Sequence, residues 1–284
     1  MSVQVSKPVR TSIFLRLPVR GWTWAHRISQ TIFLGLLLAG RHLDLNWLQG
    51  SAASTKVLGI LHLADPFGAL EVMLASRQFH TELLVAAGIL LALYALLGRA
   101  YCGWLCPLGL ALDLTDDLRR RFVTKKTGKR MSRRIKYVLL GLFVALSLLA
   151  GIPAFTLISP INILSRNLIF GFGPEILLVA AIVAVDLFYS RRAWCRYLCP
   201  LGAFYSLLGR FAFLRIRVRN QGVSCTRGGA CVRDCPMGIN LLKADVFAGH
   251  AAITDPECTR CGTCLEGCEG GCLHLGLAWP EGSQ

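Results

Sequence analysis

Four apolar segments stand out along the chain, separated by polar or basic stretches. The clearest is Tyr137 to Ile158, twenty-two residues without a charge. At about 1.5 Å per residue a helix of that length crosses a hydrocarbon core of roughly 30 Å. Leu83 to Gly98 is shorter and equally free of charge, and Ile176 to Tyr189 is interrupted only by Asp186. Ile28 to Gly40 runs into Arg41-His42-Leu43-Asp44 before apolar character resumes at Leu45 to Leu48. Basic residues precede this first segment, as in a signal peptide, but no small-x-small cleavage site follows before the charges. An uncleaved helix is expected there, and four transmembrane helices in all.

Composition agrees with that pattern. The chain is 54% apolar and only 17% charged over 284 residues, unusual for a soluble globular protein of this size. The net charge of +15 is patchy. Lys7, Arg10, Arg16, Arg20 and Arg27 precede the first segment with no acid among them, and Arg99 to Lys136 holds eleven basic residues against three acids. The stretch from Arg41 to Glu82 has three basic residues against four acidic ones, and Ser159 to Pro174 has Arg166 alone. By the positive-inside rule both termini face the cytoplasm and these two connections face outward. The basic excess is therefore a topology signal; with no groove-reading motif beside it, no nucleic-acid partner is expected.

The chain also repeats itself. Arg99-Ala100-Tyr101-Cys102-Gly103-Trp104-Leu105-Cys106-Pro107-Leu108-Gly109 follows the second segment, and Arg192-Ala193-Trp194-Cys195-Arg196-Tyr197-Leu198-Cys199-Pro200-Leu201-Gly202 follows the fourth, identical at eight of eleven positions. This implies a duplicated two-helix unit, each copy ending in Cys-x-x-x-Cys-Pro. Cysteines four apart share one face of a helix, and the Pro caps or breaks that turn. If the copies pack about a pseudo-twofold axis, Cys102, Cys106, Cys195 and Cys199 converge into a thiolate site suited to Fe–S, Cu(I) or Zn. A redox-active dithiol pair and cysteines packed as small hydrophobes are the other readings. Disulfides fit a reducing cytoplasm least.

From Arg210 the chain turns polar and Gly-rich and holds eight of the twelve cysteines. Three regions follow: a basic N-terminus (1–27), a membrane domain (28–209) and an iron–sulfur domain (210–284). In the last, Cys258, Cys261, Cys264 and Cys268 form the Cys-x2-Cys-x2-Cys-x3-Cys run that holds a cubane cluster, the fourth Cys reaching toward a second cluster. Zinc prefers two close ligand pairs to three evenly spaced thiols. An upstream copy has Cys225, Cys231 and Cys235-Pro236 at the first, third and fourth places and Gly228 at the second. By the exchange rule Cys258, Cys261, Cys264 and Cys235 hold one complete [4Fe–4S] cluster. Cys225, Cys231 and Cys268 are left one ligand short. That half is a [3Fe–4S] centre, takes Cys272 as a ligand one helical turn past Cys268, keeps an iron open to a non-cysteine ligand, or is scaffold without a cluster.

Four spans, paired Cys-x-x-x-Cys-Pro motifs and a C-terminal two-cluster module together resemble the NapH/MauN family of ferredoxin-type membrane proteins over nearly the whole chain. The resemblance implies an α-helical protein of the bacterial inner membrane with a small ferredoxin-like α+β domain. It implies an electron carrier, or a quinol dehydrogenase subunit, between the quinol pool and a periplasmic nitrate reductase or methylamine dehydrogenase system. The implied partners are a periplasmic c-type cytochrome or the reductase or dehydrogenase itself, and another ferredoxin-type subunit. Gly228 departs from the family's full ligand set.

Quinol oxidation releases protons as well as electrons, so a proton acceptor near the membrane boundary is expected. Asp186 is the candidate, since intramembrane carboxylates are costly; the alternative is an interfacial Asp paired with Arg191 or Arg192. His42, His62 and His80 fall in the outer connection, where surface exposure or contact with quinol or a haem partner are the readings. Trp22, Trp24 and Trp104 fit interfacial anchors. Val57 to Ala75, broken at Asp65-Pro66, suits a segment along the membrane surface. Two further functions compatible with the clusters are an assembly factor that reduces a metal or cofactor of a partner enzyme, and a redox sensor.

Overall fold

The computed structural model describes residues 21–42, 48–51, 54–57, 61–78, 81–122, 131–171, 173–218, 229–239, 252–268 and 271–277. They fall into two compact units. One gathers 21–26, Tyr94–Gly103 and the described residues from Ser206 onward; the other comprises those of Arg27–Leu93 and Trp104–Tyr205.

Helix α1 (Gly21–His42) leads to three short strands, β1 (Leu48–Ser51), β2 (Ser54–Val57) and β3 (Leu61–Ala64), paired antiparallel in that order. Then come α2 (Pro66–Ser76), α3 (Thr81–Leu97), α4 (Ala100–Trp104), α5 (Pro107–Phe122), α6 (Ile135–Ala150), α7 (Ala154–Ile158), α8 (Pro160–Phe170) and α9 (Ile176–Phe188). A π-helical turn over Trp194–Leu198 precedes α10 (Pro200–Leu208).

The repeat is larger than the Cys motifs. Helices α2 and α8 are each eleven residues long and each opens on a proline, Pro66 and Pro160. Helices α5 and α10 open on Pro107 and Pro200, directly after the second Cys of each motif. Proline at the first helical position has its φ already set and loses no hydrogen bond there. The duplicated unit thus carries a short Pro-led helix before its apolar helix, which hydropathy alone did not reveal.

The Tyr137 to Ile158 run is not one helix. It breaks after Ala150 at Gly151, whose φ of 67° lies in the left-handed region and whose N–H bonds the Ser147 carbonyl at 3.1 Å. Pro153 then starts α7. Gly just past a helix end with Pro beyond it is a strong stop. Among the described residues no helix is both long and apolar enough to cross a membrane.

Two carboxylates, Glu71 fully buried and Asp65 half-buried, organise this unit. Glu71 on α2 accepts from Ser147 Oγ (3.2 Å), the N–H groups of Phe155 (3.0 Å) and Thr156 (2.9 Å) and Thr156 Oγ1 (2.7 Å), satisfying the open N-terminus of α7. Asp65 caps α2 through the Gly68 N–H (3.1 Å) and accepts Tyr205 Oη of α10 at 2.5 Å. Phe67 fills the space between, its ring 5.5 Å from both Phe155 and Phe204. Along α5, Asp113 takes Arg192 through Nε (3.0 Å) and Nη2 (2.6 Å), Asp116 takes Arg191 at 2.9 Å, and Asp117 takes Arg27 at 2.8 Å.

The other unit is built on two antiparallel strands, β4 (Leu214–Val218) and β5 (Leu273–Leu277), registered from Leu214↔Leu277 to Val218↔Leu273. Two one-turn helices, α11 (Ala230–Asp234) and α12 (Thr263–Glu266), complete it. Ile216, Met237, Ile239, Ile253 and Leu273 form its core together with the thiols of Cys231 and Cys264.

Candidate metal centre

The complete ligand run forms a tight loop. Arg260 and Gly262 both have positive φ, 54° and 79°, so the chain coils back between successive cysteines. The result is one cavity lined by Cys235, Cys258, Cys261 and Cys264, with Ile216 and Met237 as apolar walls. These are the four thiols that ligand exchange between the two runs predicts. Burial pushes the Cys258 thiol up to about 12 and raises Cys264 and Cys235, with neighbouring sulfurs adding to the effect. Thiols so placed ionise once a metal is bound beside them. A four-thiol set in an apolar, water-poor pocket suits a cubane cluster. Among the described residues no three His, Cys, Asp or Glu side chains converge as a single-ion site would require.

Several residues outside the run fix this loop. The Arg260 guanidinium, 3% exposed, donates to the carbonyls of Leu214 (2.5 Å), Cys258 (3.0 Å) and Gly209 (3.2 Å). It fills the space where a side chain at Gly98 would stand, and Gly98 itself has a φ of 68°. Buried Arg99 pairs with Glu257, the residue before Cys258, and the Phe213 N–H bonds the Leu96 carbonyl at 3.0 Å. A Cβ on Gly103 would lie 2.8 Å from the Thr259 carbonyl and 3.5 Å from Cys261 Cβ. Gly103 therefore lies directly on the ligand loop. The second copy of the Cys motif has Arg196 at the Gly103 position.

The first turn of α1 is fastened to the same loop. Trp22 is 4% exposed and its ring packs against Gly262, where a side chain would collide with it. The Thr23 N–H donates to Glu266 at 2.7 Å, and Thr23 Oγ1 bonds the same carboxylate. Trp22 is thus a packing residue of the cluster loop rather than an interfacial anchor, whereas Trp24 is exposed. Arg99, Glu257, Arg260 and Glu266 escaped the sequence reading. The only available signal was the arginine that opens both copies of the repeat.

For the second ligand set, Cys231 is buried on α11 and Cys268 is half-buried just past α12. Gly267 packs closely on α11: a Cβ there would lie 3.1 Å from Asp234 Oδ2 and 3.3 Å from the Ala230 carbonyl carbon. Cys272 is 3% exposed, with its thiol 3.6 Å from that of Cys268. Cys225 and Gly228 lie outside the described residues.

Cys102 lies within α4 and Cys195 within the π-helical turn, both half-buried; Cys106 and Cys199 are buried immediately before their prolines. The cysteines of each motif do not share a helical face, because a residue preceding proline is driven from helical to extended backbone. Cys199 has φ −72° and ψ 111° accordingly, and its sulfur accepts the Gly202 N–H at 3.3 Å. Asp186 is 3% exposed and accepts the Trp194 N–H at 3.4 Å through one oxygen. Arg191 and Arg192 make ion pairs with Asp116 and Asp113, and Arg192 also acts electrostatically on Asp186. The side chains of His42 and His62, and His80 altogether, lie outside the described residues.

One complete cubane ligand set on a small domain, beside thiols of a second, defines an iron–sulfur electron-transfer protein. Residues 79–126 and 172–223 match a family described as a 4Fe-4S binding domain, and residues 217–269 match a 4Fe-4S dicluster domain. The chain is 36% identical to the methylamine utilization ferredoxin-type protein MauN of Methylorubrum extorquens, over 75% of this chain and 74% of the relative. It is 31% identical to the ferredoxin-type protein NapH of Escherichia coli, over 94% and 96% respectively. To MauN of Paracoccus denitrificans it is 35% identical over 84% and 86%. No solved structure matches. The chain belongs to the NapH/MauN family of ferredoxin-type proteins and carries [4Fe–4S] clusters.

Proposed function

We propose that this protein is a multi-pass protein of the bacterial inner membrane, with both termini cytoplasmic. It passes electrons between the quinol pool and a periplasmic redox system of the nitrate reductase or methylamine dehydrogenase kind. A periplasmic c-type cytochrome or the enzyme itself, and another ferredoxin-type subunit, are its partners. The observation that carries this reading is the packing of Arg99 to Gly103, the residues that follow the apolar helix α3, onto the ligand loop of the complete cluster.

The apolar exterior supports the membrane part. Leu84, Val85, Ile89 and Leu96 of α3, Val138, Leu142 and Leu149 of α6, and Leu177, Val185 and Phe188 of α9 are all exposed. Helices apolar all round need apolar surroundings. A bound cubane supplies one-electron acceptance and donation. The chain's part is to exclude water with Ile216, Met237 and Ile239, to hold the loop through Arg260, and to take up protons. Asp186 is the proposed proton acceptor: it is buried beside the second Cys motif, and one of its oxygens has no hydrogen-bond partner among the described residues. Cys102, Cys106, Cys195 and Cys199 are proposed as a further thiolate site.

The test is anaerobic reduction of the full-length chain in lipid nanodiscs by a menaquinol analogue, followed by optical bleaching. Bleaching to the extent that dithionite produces is expected. Bleaching by dithionite alone would overturn the quinol assignment. A deletion strain with normal electron flux but an immature partner cofactor would establish the assembly role instead.

A further inference from the structure

The loop that carries Cys258, Cys261 and Cys264 is covered at Gly262 by a side chain from the other end of the chain. We propose that Trp22 seals the ligand loop of the first cluster against water and so holds the reduction potential of that cluster down. Trp22 is then a positioning residue of electron transfer, acting through Gly262 and the ligands on either side of it. This rests on the [4Fe–4S] character of the module and not on quinol or on any periplasmic partner.

Gly262 stands between Cys261 and Cys264 and lines the cavity that the four thiols share. With no side chain there, the cavity wall at this point is bare backbone, whose polar groups attract water. The Trp22 ring closes it: a Cβ on Gly262 would stand 2.6 Å from ring Cε3 and 2.9 Å from Cγ. Trp22 is 4% exposed, whereas Trp24 in the same turn of α1 is 66% exposed. Burial at position 22 therefore comes from this contact and not from the start of the helix in general. A ring of that size withdraws about 150–250 Å² of surface from water.

Hydrogen bonds on either side of the ring keep it in place. The Thr23 N–H donates to Glu266 at 2.7 Å, and Thr23 Oγ1 bonds the same carboxylate. An amide in the first turn of a helix has no acceptor within that helix, and a carboxylate suits the positive end of the helix dipole. His26 Nδ1 donates to the Trp22 carbonyl at 2.9 Å. Glu266 ends α12, which starts directly after Gly262. One short stretch of the module thus supplies both the gap that takes the ring and the carboxylate that fastens it.

Reduction adds negative charge to a cluster, and water stabilises that charge better than an apolar ring does. A ligand loop kept dry by Trp22 makes its cluster harder to reduce.

The full-length chain, purified anaerobically in detergent, is titrated with EPR detection, the signal of the first cluster being the one that Cys261→Ser alters. Trp22→Ala should raise the midpoint potential of that cluster by about 59 mV, a tenfold shift of a one-electron equilibrium, and leave the other signal in place. Trp22→Phe, which keeps an apolar ring over Gly262, should stay close to the wild type. Trp22→Gln, which keeps bulk but admits water, should rise as Trp22→Ala does, and it carries the test where Trp22→Ala fails to retain iron. An unchanged potential in Trp22→Gln, or a shift in Trp22→Phe as large as that in Trp22→Gln, would overturn the proposal. So would loss of iron from both variants with the remaining clusters titrating at the wild-type potential, which is the mark of packing alone.

Discussion

Arg260 stands between two ligands of the complete cluster, buried, with its guanidinium on three carbonyls from three chain segments. A permanent cation inside the ligand loop favours the more negative, reduced state of the cluster it adjoins, because cluster potentials follow local charge and burial. Arg260→Gln should therefore lower the midpoint potential of the first cluster, by about 59 mV if the reduction equilibrium shifts tenfold. Arg260→Lys, which keeps the charge, should restore most of it. EPR-monitored titration of both variants checks this, and a purely structural role would lower cluster content without moving the potential. Gly103 gives a steric counterpart. A side chain there must displace the Thr259 carbonyl. Gly103→Arg, the residue of the second copy, should cost about half the bound iron, whereas Arg196→Gly should leave it unchanged.

At the scale of elements, the short Pro-led helices hold the larger unit together through their carboxylates. Removing Glu71 strands four donors at the start of α7 and on α6. Glu71→Ala should destabilise the protein by about 3–5 kcal/mol, read as a lowered midpoint in thermal melts in detergent. Asp65 behaves differently. Burial raises its carboxyl from the ordinary 3.8 to about 6, with the Tyr205 hydrogen bond opposing the rise. The folded state thus keeps this proton longer than the unfolded state. The favourable contribution of the group is complete below about pH 4 and is lost as the pH rises through about 6. Asp65→Asn should flatten this part of the pH dependence of stability, measured as the difference between variant and wild-type melting profiles.

The apolar runs and the ligand spacings are local signals, and the helices and the four thiols around the first cluster were legible from them. The break at Gly151-Pro153 was present in the sequence too, but hydropathy averages across it. What stayed hidden depends on tertiary contact. Arg260 reaches backbone up to 51 positions away, and Glu71 meets residues 76 to 85 positions on. Trp22 looked like an anchor because its partner, Gly262, has no side chain to announce the contact. Likewise, Pro107 and Pro200 displace the second cysteine of each motif from the helical face that a spacing of four suggests.

At the scale of the whole molecule, the iron–sulfur module brings two ligand sets together in one small domain. Thiols of both ligand sets, Cys231 and Cys268 of one and Cys235, Cys258 and Cys264 of the other, border one core. The most direct measurement is a potentiometric titration of the purified full-length chain, followed by low-temperature EPR. Two four-iron signals are predicted, titrating separately and broadened by mutual coupling when both are reduced. A single cluster per chain, or two that show no magnetic interaction, would contradict the account.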